Sequence, residues 1–490
     1  MFQKAAIKIY LFYLISISFV LLNVFFMVKR NTMLVNALPV ILAILLVVIY
    51  SFDKIIYLVA FFAPLSLPLS EIMPGLGFDM YLPTEPLLVG LLLIFLLKLI
   101  YDRGFDRQIL THPVSLAIYI NLLWIFLTAL TSTMPVVSFK FLLARIWFVV
   151  VLYFLTAKMF SEGKNMEKYI WLYVISLVIV IFYTLNRHLG YGIWNKEVAN
   201  FVCNPFYKDH TSYGAALAMY LPFLMMFSFG SFVTRKEKII AIIVLIILVT
   251  GFVLSYTRAA WLSLIGAGAV YIIVKLKIRF KPLFITFITV LVLFFTFQNQ
   301  IFMSLEQNSE QSSADFKTHI SSMSNITSDA SNLERINRWN CAIQMFEEKP
   351  VFGYGPGTYM FKYAPFQINA NKTIISTNSA DGGNAHSEYL GPLAESGILG
   401  MLTFLLIIGT VIYTAVHTYM RVTDRRLKSF VLAAFIGLVT YYIHGFLNNF
   451  LDTDKLSVPF WGFTAIIVAI DIYSRNQIRS QKIRTEDSPD

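Results

Sequence analysis

The sequence predicts an all-α fold: a polytopic transmembrane helical bundle of 12–14 spans with one large extracytoplasmic loop containing short helices. Three observations predict it. Of 490 residues, 57% are hydrophobic and only 14% are charged; mean hydropathy is +0.68; and apolar runs of bilayer length recur between loops that are alternately basic and nearly uncharged. No soluble core could absorb so much apolar sequence, so a bilayer is its natural solvent. The net charge of +11 would suggest nucleic acid in a soluble protein. Here the cations stand in short loops between apolar runs and act as topology signals, so membrane lipids are the expected partner and nucleic acid is not.

Runs able to cross the hydrocarbon core, which takes roughly 20 residues, centre on 9–28, 33–52, 55–70, 86–101, 114–134, 136–157, 168–186, 212–232, 238–256, 259–274, 282–299, 398–416, 429–447 and 457–473. The run at 55–70 is short and carries Pro64 and Pro68, and 86–101 is short too, which sets the lower count. The N-terminal run follows Lys4 and Lys8, is too long for a signal-peptide core and lacks a small-residue cleavage site, so it is expected to remain as the first span. Basic loops at Arg103 and Arg107, Lys158 to Lys168, Arg235 to Lys238, Lys275 to Lys281, Arg421 to Lys428 and the tail from Arg475 are assigned to the cytoplasm, with Lys29 and Arg30 as the one violation. Both termini then lie in the cytoplasm, and two polar segments, 187–211 and 300–397, lie outside. The chain divides into an N-terminal bundle at 1–299, the large outer loop at 300–397 and C-terminal spans with a basic tail at 398–490.

The long loop opens with a Ser-, Asn- and Gln-rich stretch, 304–332, too polar to order itself. At Ser331 the spacing Ser331-x-x-Glu334 resembles a capping box, and the following segment carries Leu333, Ile336, Trp339, Ile343 and Phe346 on one apolar stripe. Pro350 and the glycines of VFGYGPGTY should end this helix and turn the chain. A second helix is expected from near Asn384 to Gly397. Cys203 and Cys341 fit neither a zinc site nor a disulfide framework; they could pair outside, or be two unrelated buried thiols.

His386 is the first candidate for chemistry. An imidazole titrates near neutrality, so it can take a proton from a hydroxyl and release it; the other reading is an interfacial histidine capping a helix. Arg335 and Arg338 share a helical face and could clamp a diphosphate through guanidinium forks, or form a solvated face. Arg258 stands between two apolar runs at the outer boundary with hardly any loop, where a charge needs a ligand, a partner or a route to the headgroups. Lys140 and Arg145 lie on the outer half of a span, and Arg187, His188, Lys208, Asp209 and His210 in the 187–211 segment could line the same cavity. Glu388 and Glu395 are seven apart on one helical face, suited to packing, to a supporting role or to orienting His386. No close carboxylate pair or His/Cys cluster has metal-site spacing, so no metal is expected.

The Arg258 tract, the R-x-x-x-W of Arg335 to Trp339 followed by EKPVFGYGPGTY, and H-S-E-Y-L-x-x-L-x-E-S-G-I-L-G from His386 together resemble the O-antigen ligase and O-antigen polymerase superfamily, best over 250–417. That resemblance implies a GT-C-like bacterial inner-membrane glycosyltransferase that needs no cofactor. It implies transfer of a glycan from undecaprenyl diphosphate to an acceptor in the periplasm, within lipopolysaccharide or surface polysaccharide biosynthesis. It assigns the functional set to Arg258, Arg335 or Arg338, and His386. The acceptor could be a lipid A-core sugar, a growing glycan, or a protein hydroxyl. A lipid-linked oligosaccharide flippase is the rival from another class, although transporters show related halves and short loops, and this chain concentrates its polar sequence in one loop.

Overall fold

A computed structural model describes residues 2–30, 52–72, 80–102, 104–278, 330–367 and 383–486. Its long helices are α1 (Phe2–Arg30), α2 (Phe52–Phe62), α3 (Thr84–Asp102), α4 (Pro113–Leu130), α5 (Pro135–Phe160), α6 (Met166–Tyr191), α7 (His210–Phe229), α8 (Arg235–Leu254), α9 (Arg258–Lys275), α10 (Ala330–Glu348), α11 (Leu390–Arg421), α12 (Arg425–His444) and α13 (Asp454–Glu486). Among the described residues ten of them, α3 to α9 and α11 to α13, are long and apolar enough to span a membrane. The fold is an all-α helical bundle, and its only sheet among these residues is the two-residue pairing of Leu67–Pro68 with Tyr81–Leu82.

The expected spans at 33–52 and 282–299, and most of the polar stretch at 304–332, fall outside the described residues. The run at 55–70 does not form a span. Helix α2 stops at Phe62, and a 3-10 turn through Pro64 leads into the small hairpin at Pro68, because proline cannot supply the amide that would continue the helix.

The interior is built on α13, which is apolar on all sides. Of its apolar window 94% is buried, against 78% for α7 and α12, 28% for α8 and 22% for α9. These values set α7, α12 and α13 at the centre and α8 and α9 at the lipid-facing rim. Gly437 of α12 lets the Met219 carbonyl of α7 approach its Cα closely, the small-residue contact by which membrane helices pack without a hydrophobic drive between them.

Two buried polar clusters pin the ends of α13. At its start the Asp454 carboxylate accepts from the Ser66 hydroxyl at 2.6 Å and from the Thr84 hydroxyl. Lys455 Nζ beside it donates to the carbonyls of Ala63 and Ser66, each at 2.9 Å. Seventeen residues further on, buried Asp471 accepts from Thr418 Oγ1 (2.6 Å) and Arg421 Nη2 (2.6 Å) and is ion-paired with Arg475 Nε (2.8 Å), with His112 Nε2 at 3.3 Å. That separation is about 25 Å along a helix, close to the thickness of a hydrocarbon core. The charges therefore sit at the two borders, where their partners come from segments far apart in sequence.

Removing one member of a buried pair leaves the other uncompensated, at a cost of about 3–5 kcal/mol. Lys455→Met should accordingly lower the thermal unfolding midpoint of the detergent-purified protein by several degrees. An unchanged midpoint would show that the Asp454 cluster contributes nothing to stability.

Candidate active site

The loop after α10 sets the frame. Gly353, Gly355 and Gly357 all have positive φ, 64°, 113° and 74°. At Gly355 the requirement is steric as well as torsional, since a Cβ would overlap the Ser132 side chain. The loop is stitched to the α4–α5 corner by Thr133 N to the Tyr354 carbonyl (2.9 Å) and Ser138 Oγ to the Pro356 carbonyl (2.8 Å). It is stitched to α11 by Gly355 N to the Glu395 carbonyl (2.7 Å) and Tyr359 N to Glu395 Oε1 (2.9 Å). Helix α11 breaks at Gly397, φ 68° and ψ −169°, where Ile398 N donates to the Pro350 carbonyl.

Helix α10 packs with a face other than its apolar stripe. Its buried residues are Glu334, Asn337, Arg338, Cys341, Ala342 and Met345, whereas Ile343 is exposed and Ile336, Trp339 and Phe346 are half-buried. The reason is a buried ion pair: Arg338 Nε donates to Glu334 Oε1 at 2.6 Å, and the guanidinium lies 3.8 Å from the Tyr363 ring centroid. Glu334 is thus paired with Arg338, and a charged pair takes the place the pattern assigned to aliphatic residues. Gly383 packs directly on the same guanidinium. Arg335, one residue from Glu334, is half-buried and donates through Nε to the Leu447 carbonyl at 3.2 Å.

His386 precedes α11 rather than heading it, and sits in the left-handed region at φ 49°, a conformation that surrounding contacts must enforce. They do so from three sides: its N–H donates to Asn384 Oδ1 (3.1 Å), its carbonyl accepts from Trp339 Nε1 (3.3 Å), and Ser387 Oγ accepts from the N–H groups of Tyr389 and Leu390. Burial, then the nearby Arg335 and Arg338, depress the imidazole pKa to about 4 against opposing pulls from Asp209 and Glu334.

Arg258 begins α9 just after a tight corner in which Thr257 Oγ1 donates to the His210 carbonyl at 2.7 Å. Asp209 caps α7 through the N–H groups of Thr211 (2.9 Å) and Ser212 (2.8 Å). Arg258, Arg335, Lys196 and Asp209 all act electrostatically on His210, and Arg335, Asp209 and His210 act on His444. One cluster thus holds Arg258, Arg335, Lys196, Asp209 and three imidazoles, His210, His386 and His444. The Nδ1 atoms of His210 and His444 are buried without a hydrogen-bond partner among the described residues.

The remaining sequence candidates go elsewhere. Arg187 Nη1 is taken by the carbonyls of Phe201, Val202 and Asn204, which makes it a clamp for its own loop. Arg145 pairs with Asp452 at 3.2 Å and lines a separate cleft with Asn121, Glu388, Glu395 and Trp461. Lys140 is exposed on α5. Cys203 and Cys341 are both free and buried, with the Cys203 thiol pushed up to about 12 by burial. Among the described residues no three His, Cys, Asp or Glu side chains converge as a metal site would require. His444 was not singled out from sequence, because a histidine closing an apolar run reads as interfacial; its one signal is the adjoining Gly445 and two asparagines just beyond that run.

Fold and cluster together define a polytopic helical membrane protein with a cationic, histidine-bearing cluster at one end of its bundle. Residues 242–405 match the family model described as O-Antigen ligase, and this match supports assignment of the chain to an O-antigen ligase-type family. The matched segment contains Arg258, Arg335 and His386 and leaves out Asp209, His210 and His444. No curated protein matches the chain. The family points to a bacterial membrane protein with glycosyltransferase-like activity in the broad sense, acting in surface polysaccharide biosynthesis.

A depressed pKa means that His386 remains neutral until the pH falls to about 4. Its rate of acylation by a histidine-selective reagent, taken as the difference between wild type and His386→Gln, should therefore have a midpoint below pH 5, and Arg335→Ala should raise that midpoint. A midpoint near 6.5 in wild type would contradict the burial and the placement of Arg335.

Proposed function

We propose that this protein transfers a glycan from undecaprenyl diphosphate to an acceptor hydroxyl on the extracytoplasmic side of the inner membrane, with inversion and without a metal. One observation carries the reading. The fold gathers Arg258, Arg335 and His386 at one end of the bundle, though the sequence places them on three separate elements. Positive-inside bias of the loops assigns that end to the periplasm and both termini to the cytoplasm.

In the reaction the bond from the anomeric carbon to the phosphate oxygen breaks as the acceptor oxygen attacks from the opposite face. The electron pair stays with the diphosphate and the acceptor proton passes to His386. Arg258 and Arg335 hold the diphosphate where negative charge accumulates, so their attraction is strongest in the transition state. Arg338 contributes at one remove, because its ion pair and ring contact fix the turn of α10 from which Arg335 projects. Lipid A-core sugar is the acceptor we favour. A growing glycan and a protein hydroxyl are the other acceptors open to the same chemistry.

Loss of a charged group that acts on the leaving oxygens costs on the order of 10²–10³ in kcat. Arg258→Ala, Arg335→Ala and His386→Ala, each purified and monodisperse, should lose at least this much transfer from undecaprenyl-diphosphate-linked glycan with no ion gradient present. Near-normal transfer by His386→Ala and Arg258→Ala would remove the site assignment. Single cysteines at Lys196 and Arg479 should react with an impermeant maleimide in spheroplasts only at 196; labelling at 479 alone would invert the topology and end the proposal.

Bound diphosphate brings negative charge beside His386 and offsets the cations that depress its pKa. The acid limb of kcat, which reports the complex, should therefore lie above that of kcat/KM, which reports the free enzyme. Coincident limbs would place the diphosphate away from His386.

A further inference from the structure

Glu388 is buried two residues beyond His386, and the proton transfer assigned to His386 does not use it. Its Oε1 accepts three hydrogen bonds, from Tyr441 Oη (2.6 Å), Phe450 N (2.7 Å) and Leu451 N (3.0 Å). Its own N–H donates to the Gly445 carbonyl at 2.8 Å, and a Cβ on Gly445 would press on the Glu388 side chain at 3.2 Å. All of these partners belong to the last turn of α12 and the segment that follows it. The segment carries the Leu447 carbonyl that holds Arg335, and the last turn carries His444, whose Nε2 lies 3.2 Å from Asn448 Nδ2.

The segment 445–451 runs between two spans, and Phe450 N and Leu451 N find their acceptor in one carboxylate oxygen. Burial raises the Glu388 pKa, and a lost acceptor would take the partner of Tyr441 Oη and Leu451 N at once and leave Phe450 N only its longer bond to Tyr441 Oη (3.1 Å). Such a group is well placed to fix two backbones against each other.

We infer that Glu388 is a positioning residue that locks the His386 loop to the α12–α13 connection, and so sets the distance between the base and the Arg335 cation. The inference rests on the transfer chemistry proposed above. It assigns Glu388 neither a proton nor a substrate contact; its role is to accept the three donors. A neutral amide oxygen can do the same, whereas a methyl group cannot.

The experiment compares Glu388→Ala, Glu388→Gln and wild type as full-length, monodisperse protein. Glu388→Ala should lower kcat by about 100-fold, the scale expected when a reacting group shifts by an ångström or so. It should also move the His386 acylation midpoint up from about 4 towards the ordinary histidine value, as the loop loosens and water returns. The groups that face His386 are Arg335, Arg338 and Glu334 on α10 and Asp209 at the head of α7, and none of them is altered. Glu388→Gln should restore kcat to within about threefold of wild type and restore the midpoint.

A folded Glu388→Ala protein with wild-type kcat and midpoint would overturn the inference, as would a Gln variant no better than Ala. If the Ala variant cannot be purified, Tyr441→Phe removes one of the three donors. It should give a loss of several-fold and a partial shift, and an unchanged midpoint would again overturn the inference. The midpoint is read without any transfer assay, so a wild type that transfers no glycan sinks the proposed function while leaving this coupling testable on its own.

Discussion

Everything at this end of the bundle depends on how one guanidinium is held. Arg335 follows an acid, Glu334, and an arginine in a partly dry site gravitates to the nearest carboxylate, where its charge is cancelled. Here the carboxylate is pre-empted. Arg338, one helical turn on, takes Glu334 in a buried pair and stacks on Tyr363. Arg335 donates to the neutral carbonyl of Leu447, which orients its fork. From there Arg335 acts on His210, His386 and His444 together.

A positive group at a membrane border must be supported from below, because the lipid offers no partner to polar side chains. The clusters at the two ends of α13 supply that support at the level of the bundle, each tying the central helix to segments distant in sequence. The glycine-rich loop supplies it at the level of the site. With Gly353 and Gly355 seated against α11 and the α4–α5 corner, α10 is held to the bundle by its backbone. The face of α10 that carries Arg335 is therefore fixed by main-chain hydrogen bonds and a buried ion pair rather than by the hydrophobic stripe visible in its sequence.

The spans were the most legible feature, since a bilayer demands long apolar runs and basic retention signals whatever the tertiary packing. Arg258, Arg335 and His386 were legible as chemistry, because a charge at the edge of the hydrocarbon or a histidine beside a helix is costly enough to stand out. Their grouping was not, as it depends on how α7, α9, α10 and α12 pack around one end of the bundle. The same limit hid the partners of Arg187 and Arg145, for a charge near a membrane border does not reveal which carbonyl or carboxylate its side chain will meet. The buried face of α10 was hidden for a different reason. A hydrophobic stripe predicts burial only where the competing face is solvated, and here Glu334 and Arg338 neutralise each other four residues apart. That spacing was visible in the sequence and outweighs the aliphatic pattern.

The depressed pKa of His386 looks at first unsuited to a general base, since a weak base extracts protons poorly. Magnitudes resolve the conflict in the proposed reaction. Moving the imidazole from about 4 to its ordinary 6.5 requires about 2.5 units, or roughly 3.4 kcal/mol. A single negative charge about 4 Å away in a partly buried setting supplies close to 4 kcal/mol. A diphosphate seated on Arg258 and Arg335 would be enough to bring His386 into its useful range. In the empty site the imidazole stays neutral and weakly basic, with little power to activate water; with the carrier lipid bound it becomes competent. Arg258 and Arg335 would then stabilise the departing diphosphate, while burial and the nearby Arg335 hold the base in reserve until the leaving group has arrived.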